Sequence, residues 1–334
     1  MTESDDAVLA VRRGAGLFEL ADRGVLAVCG SDARRWLSGM VTNDVARLEP
    51  GPERSGCPAL VLTNRGHVIA DVEVLLVSEG FWLETSRAAA ADLAARLSRF
   101  VIADDVRLAD RSDDLARFGI EGPAARRVVE EALGEIPRVV PHACAVARVA
   151  DASVVVARFG WSGEDAYQIF VPRDGAARVR EVLLSAVAAA GAHVCTPEVL
   201  EVLRIEAGRP RLGAELSEDV LPPEARLEGA ISYTKGCYTG QEIVARLRSR
   251  GHVNHLLVGL RFDDGGLLTP GSTLRGGGKP IGEVTSVARS PHAGAIGLGF
   301  VRVGHDAPGT ELDADGAVVR VAELPFVTPQ AVRP

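Results

Sequence analysis

The stretch Lys235-Gly236-Cys237-Tyr238-Thr239-Gly240-Gln241-Glu242 concentrates residue types that the rest of the chain avoids. Among 334 residues there are two lysines, three tyrosines, three glutamines, three asparagines, three tryptophans, two methionines and five cysteines, together 21 positions or about one in sixteen. Four of these eight residues belong to the scarce types, where about half of one is expected at that rate. A chain that otherwise writes Arg has written Lys here, beside a cysteine. Thr239 and Glu242 read as a capping box ahead of Ile243, Val244 and Leu247 at helical spacing. Cys237 then stands just before a helix start with Lys235 two residues away, and both features favour thiolate over thiol. The reading is a reactive or ligand-contacting thiol; a buried apolar cysteine in a tight turn is the alternative. Arg246, Arg248 and Arg250 follow, with Glu242 placed to pair with Arg246. They are either an anion site for a carboxylate or phosphate, or a solvated helix face.

Outward from this stretch, residues 17–29 read as strand with a turn at Asp22-Arg23-Gly24, and Ser31 as the cap of a helix to about Leu37. From Ala59 to Val77 the pattern is strand, turn at Asn64-Arg65-Gly66, strand. On the second strand Val68, Ala70, Val72 and Val74 share one face, and Ile69, Asp71, Glu73 and Leu75 the other. Strand 81–85 with a helix capped by Ser86, and strand 166–171 with a helix capped by Asp174, suggest two βαβ-type α+β halves. A further helix runs from Thr196-Pro197 to about Gly208. Beyond Gly251 long helical patterns vanish, and 15 of the 36 glycines fall in the last 84 residues, as in a small β-barrel. The expected division is residues 1–250 and 251–334.

Composition excludes several classes. No apolar run approaches the length of a membrane helix, and the acidic N-terminus lacks the order of a signal peptide, so a cytoplasmic protein without membrane attachment is expected. Thirty-seven basic against 45 acidic residues give a net charge of −8, so direct nucleic-acid binding is not expected. The five scattered cysteines form no C-x-x-C pair, and no metal site is expected. Gly276-Gly277-Gly278-Lys279 lacks the phosphate-loop spacing and reads as a hairpin turn.

KGCYTGQE at 235–242 resembles the signature of YgfZ-type folate-binding proteins, relatives of the aminomethyltransferase (T-protein) of the glycine cleavage system. Leu37–Val45, with Thr42-Asn43-Asp44, resembles that family's N-terminal segment. Arg204-Ile205-Glu206-Ala207-Gly208 resembles its helix before the signature, and Ile281–Ser286 its barrel. The resemblance implies an α+β fold of two ferredoxin-like modules forming a folate-binding region, followed by a C-terminal β-barrel. It implies tetrahydrofolate, or a one-carbon-substituted form, as cofactor. It also implies support of iron–sulfur cluster assembly or repair in client enzymes, including those that thiolate tRNA. Cys237 is then the functional cysteine with Lys235 beside it. Glu206 and Asp71 are the expected folate carboxylates, since one carboxylate can accept a pterin's paired N–H donors in parallel. Tyr238, Gln241 and Arg246 complete the expected contacts. Where T-proteins carry adjacent acids this chain reads Ala70-Asp71, and T-proteins lack the signature cysteine; the YgfZ branch is therefore preferred. A folate-dependent aminomethyltransferase or demethylase, and a non-catalytic adaptor binding RNA or protein, are the alternatives.

Overall fold

Thr2 and Asp5 cap the first helix reciprocally: Asp5 N donates to Thr2 Oγ1 at 3.2 Å and Thr2 N to Asp5 Oδ2 at 2.7 Å. Acids in the first turn and Arg12 and Arg13 in the last complement the helix dipole. The sequence reading has no counterpart for this helix, α1 (Glu3–Arg13). The computed structural model, which describes residues 2–329 apart from positions 150, 264, 265 and 267, continues through β1 (Gly16–Glu19), β2 (Arg23–Cys29), α2 (Ala33–Met40), β3 (Gly56–Leu62), β4 (Val68–Val77), β5 (Gly80–Ser86) and α3 (Arg87–Leu97). Next come β6 (Arg107–Asp110), β7 (Leu115–Glu121), α4 (Ala125–Leu133), β8 (Cys144–Val149), β9 (Ala152–Ala157), β10 (Ala166–Pro172), α5 (Ala176–Ala189), β11 (His193–Cys195) and α6 (Pro197–Glu206). A mostly irregular segment leads to α7 (Gln241–Arg250). It is followed by β12 (His255–Phe262), β13 (Thr273–Gly276), β14 (Lys279–Ser290), β15 (Gly294–Arg302), β16 (Glu311–Ala314) and β17 (Ala317–Ala322).

The strands form a five-stranded sheet (β3-β4-β5-β2-β6), a six-stranded sheet (β11-β1-β7-β10-β9-β8) and a closed barrel (β12-β15-β14-β13-β16-β17). Instead of the parallel pairs that βαβ units would give, the five-stranded sheet is antiparallel throughout. The six-stranded sheet has one parallel pair, β1 with β11. Each sheet is buried on both faces, which explains near-continuous apolar runs such as Val25–Val28. Leu26, Val28, Ala70, Val72, Val74 and Leu83 face α2 and α3 through Trp36, Leu37 and Leu93. Phe118, Ile120, Tyr167 and Ile169 face α4 and α5 through Val128, Val179 and Leu183. The opposite faces meet each other, with Val25, Ala27, Leu75 and Trp82 against Leu115, Ala157 and Phe170. The Trp82 and Phe170 ring centroids lie 5.5 Å apart. The result is helices, sheet, sheet, helices, an α+β architecture with a separate barrel.

Local signals hold in several places. Ser86 Oγ accepts from Ala89 N at 3.2 Å and starts α3. Thr196 and Pro197 start α6. Others differ. Asp32 rather than Ser31 occupies the α2 N-cap, because Ser31 N and Oγ both donate to Asp105 Oδ2, at 3.0 and 2.8 Å. A short 3-10 turn, Arg173–Gly175, precedes α5, so Asp174 is not its cap. In the barrel a Cβ on Gly282 would lie 1.9 Å from Phe300 O, which shows what the glycine-rich texture permits. No described helix is long and apolar enough to cross a membrane.

Candidate functional site

β4 lies inside its sheet, between β3 and β5, so Asp71 and Glu73 are not on a solvent-facing edge. Their face turns toward the second sheet, where both line a cavity of about 310 Å³. Leu60, Glu84, His142, Phe159, Trp161, Arg209 and Arg226 also line it. A neighbouring cleft of about 270 Å³ shares Arg23, Asp71, Trp161 and Pro210 with it and runs out past Glu19, Glu198 and Glu201. The two form one path from the heart of the molecule to a rim of mixed charge, where Arg204 and Arg211 stand among the acids.

Charges in this path are ordered by a buried network. Arg23 grips Glu84 with two bonds, Nε to Oε1 at 2.7 Å and Nη2 to Oε2 at 3.0 Å. Arg117 Nη1 donates to the same Oε1 at 3.0 Å. Burial alone would raise the Glu84 carboxyl, but the two guanidiniums hold it below its ordinary value. Arg23 also lies 4.8 Å from the Trp161 ring centroid, which places an aromatic face on the cavity wall. Burial pushes Asp71 up, with Arg23 opposing and Glu84 reinforcing. Glu73 is likewise raised by burial, opposed by His142, whose Nδ1 lies 2.9 Å from Glu73 Oε1. The cavity thus offers carboxylates that accept paired N–H donors, aromatic rings for a flat heterocycle, and guanidiniums for an anionic tail.

Glu206 is not part of this cavity. Its carboxylate accepts from Arg12 Nε and Nη2 at 2.9 and 2.8 Å and from Ser290 Oγ at 2.5 Å, fully buried where α6 meets α1 and the barrel. In this structure the carboxylate belongs to an ion pair that holds three parts of the fold together. Glu215 does similar work, taking Arg204 Nη1 at 3.0 Å and Ser286 Oγ at 2.5 Å.

The signature lies elsewhere. None of Lys235, Cys237, Tyr238, Gln241 and Arg246 lines the cavity. Lys235 is directed not at the thiol but at main-chain carbonyls: Nζ donates to Ser38 O, Val41 O and Asn43 O at 2.6, 2.7 and 2.9 Å. It therefore staples the signature to the end of α2, while burial draws its ammonium down to about 8. Cys237 is exposed, so the buried-cysteine alternative does not describe it. Tyr238 is buried among Leu60, Leu62, Val68 and Ile231, under the Lys235 ammonium 5.2 Å from its centroid. Gln241 Oε1 accepts from Tyr238 N at 3.3 Å.

The capping box does not form. Gly240 occupies the α7 N-cap at φ 83°, and a Cβ there would stand 2.6 Å from Thr63 O, so the chain enters the helix from another direction. Thr239 N donates instead to Gly39 O. Glu242 and Arg246 pair at 3.2 Å on an exposed face, and Arg248 stacks 3.8 Å over Tyr233. The side chain of Arg250 lies outside the described residues.

One strand separates signature and cavity. Leu60 of β3 lines the cavity and belongs to the packed cluster that contains Tyr238. Its amide donates to Thr42 Oγ1 at 2.8 Å, and that hydroxyl donates to Ala230 O at 2.7 Å. Sequence reasoning missed Arg23, Glu84, Arg117, His142 and Trp161. Only the pairing of β2 with β5, which sets Val25 opposite Glu84, brings the first two together.

Residues 2–235 match the family model described as the GCVT N-terminal domain, and residues 256–327 the glycine cleavage T-protein C-terminal barrel domain. An aminomethyltransferase of Rubrobacter xylanophilus is 32% identical over 87% of this chain and 77% of its own length. One from Saccharopolyspora erythraea is 31% identical over 95% of this chain and 88% of its own. The crystal structure of glycine cleavage system aminomethyltransferase T from Bartonella henselae has the same fold, with TM-score 0.86 and 24% identity over 98% of this chain and 90% of that one.

Proposed function

Since the chain belongs to the glycine cleavage T-protein family, whose members bind tetrahydrofolate, we propose that its central cavity holds a reduced folate and is the site of its chemistry. The observation that carries this reading is the setting of Asp71 and Glu73 on one strand face, opposite Trp161, in a cavity between the sheets. A carboxylate accepts the parallel N–H donors of a pterin, an aromatic face takes its ring, and Arg209 and Arg226 suit the carboxylates of its tail. Tetrahydrofolate supplies nitrogens that carry a one-carbon unit. In this chain burial raises the Asp71 carboxyl, with Arg23 opposing. Calorimetric titration with 5-formyltetrahydrofolate tests the reading. Micromolar binding, weakened tenfold or more by Asp71→Asn, supports it, and absence of binding refutes it.

Two finer readings divide on what the folate serves. The names of the relatives favour aminomethyl transfer. Turnover of an aminomethylated donor protein by the purified chain decides this. The other reading, that of the YgfZ branch, is support of iron–sulfur cluster assembly or repair in client enzymes, including tRNA-thiolating ones. It draws on the signature and on the exposure of Cys237. A thiol outside the folate cavity is better suited to meeting sulfur or iron on a partner than to attacking a folate-borne carbon. Loss of client-enzyme activity in cells carrying Cys237→Ala supports this reading, and full complementation by that variant refutes it.

A further inference from the structure

His142 reaches the cavity from the second half of the fold, and nothing in the reading above uses it. We propose that His142 is a ligand-contacting, proton-exchanging residue of the cavity, with Glu73 as its positioning residue, so that ring Nε2 meets an oxygen or nitrogen of the occupant. The inference rests on the reduced-folate reading for the identity of that occupant only.

His142 lies just before β8 at φ 68°, in the left-handed region that histidine enters more readily than most side chains and where backbone strain tends to mark functional positions. The loop is pinned on both sides. His142 N donates to Arg158 O at 2.7 Å, and His142 O sits where a Cβ on Gly56 would come within 2.0 Å, so only glycine there allows the approach. Glu73 is inside and the ring is partly open, with side-chain exposures of 9% and 38%. That is the order in which a buried carboxylate orients an imidazole for work on its other nitrogen. An ionised Glu73 keeps a proton on Nδ1 and leaves Nε2 as an acceptor. A second proton makes Nε2 a donor to a carbonyl or formyl oxygen of the ligand. Asp71 from β4, Glu84 from β5, Arg23 from β2, and Arg209 and Arg226 from the segments after α6 are the other charged groups that line this cavity.

Two measurements test it. Nitrogen NMR of the histidine rings, without added folate, should show His142 as the Nδ1–H form, and Glu73→Leu, which removes the acceptor, should abolish that preference; a ring indifferent to Glu73→Leu overturns the proposal. Calorimetry with 5-formyltetrahydrofolate between pH 6 and 8, in buffers of unequal ionisation heat, should show exchange of up to about one proton per ligand. His142→Asn, which tolerates the left-handed backbone, should bind more weakly and with that exchange lost; unchanged exchange overturns the proposal. Wild-type protein that holds the Nδ1–H form yet binds no 5-formyltetrahydrofolate refutes the folate reading, not the Glu73–His142 pair.

Discussion

Lys235→Met replaces an ammonium with an uncharged chain of similar length and removes three hydrogen bonds at once. A bond with a charged donor contributes about 1.5–3 kcal/mol, so three independent bonds would give more than about 4 kcal/mol. Two effects reduce that sum. The bonds share one donor group, and burial works against the charge, as the lowered value of about 8 shows. A net loss of about 3 kcal/mol remains, because Met leaves carbonyls at the end of α2 without their partner. At about 2–4 °C per kcal/mol for chains approaching this size, the melting temperature should fall by roughly 6–12 °C. Urea unfolding measures the stability, and the reaction rate of Cys237 with an aromatic disulfide is followed in parallel. If Lys235 is a staple, stability falls and the thiol rate stays within about threefold, since the side chain points at carbonyls. A melting temperature shifted by less than about 2 °C, with a thiol slowed tenfold or more, would refute this reasoning and return Lys235 to the role of thiolate partner.

Glu206→Gln should lower stability by about 3 kcal/mol through its pair with Arg12, while reduced-folate affinity, measured well below the melting temperature, stays unchanged. Glu84→Gln should cost about 3–5 kcal/mol in urea unfolding, because Arg23 and Arg117 are left facing each other in a buried site. The pH profiles of the cavity acids should oppose each other. Glu84, depressed in the folded state, contributes stability above its unfolded value that is lost as pH falls through the folded one. Asp71, raised in the folded state, makes stability decline as pH climbs from its unfolded to its folded value. Asp71→Asn should therefore melt higher than wild type at pH 7 while losing folate binding, and a lower melting temperature contradicts the assigned direction. Gly240→Ala should destabilise by at least about 1 kcal/mol in thermal unfolding, since the new methyl meets Thr63 O.

The period-two alternation of Val68–Val74 against Asp71 and Glu73 was readable because both faces of β4 meet consistent environments, one apolar and one polar. The barrel was readable because curvature demands glycine where strands cross closely, as at Gly282. What stayed hidden lies in pairings far apart along the chain. Composition singled out Lys235, but its partners at Ser38 and Asn43 lie 197 and 192 residues away, so the reason for a lysine there is tertiary. Glu206 carries the right charge for a ligand contact, and only the return of α1 and β14 to the end of α6 shows that the charge is already balanced. Lys235 to Glu242 is a junction that α2 and β3 meet from far away in the chain. The chemistry assigned to it assumed that neighbours in sequence are neighbours in action, which holds for neither Lys235 nor the expected cap at Thr239.

Leu60 gives the molecule an unusual economy of partition. Its side chain, like those of Ala225 and Ala230, is wallpaper to the cavity on one side and ballast in the signature tyrosine's cluster on the other. Two rooms with one shared wall cannot be remodelled separately. Enlarging the ligand space by trimming Leu60 would hollow the packing around Tyr238, and filling that packing would narrow the ligand space. Variation at this position is answerable to both rooms at once, whichever of them a given substitution was meant to serve.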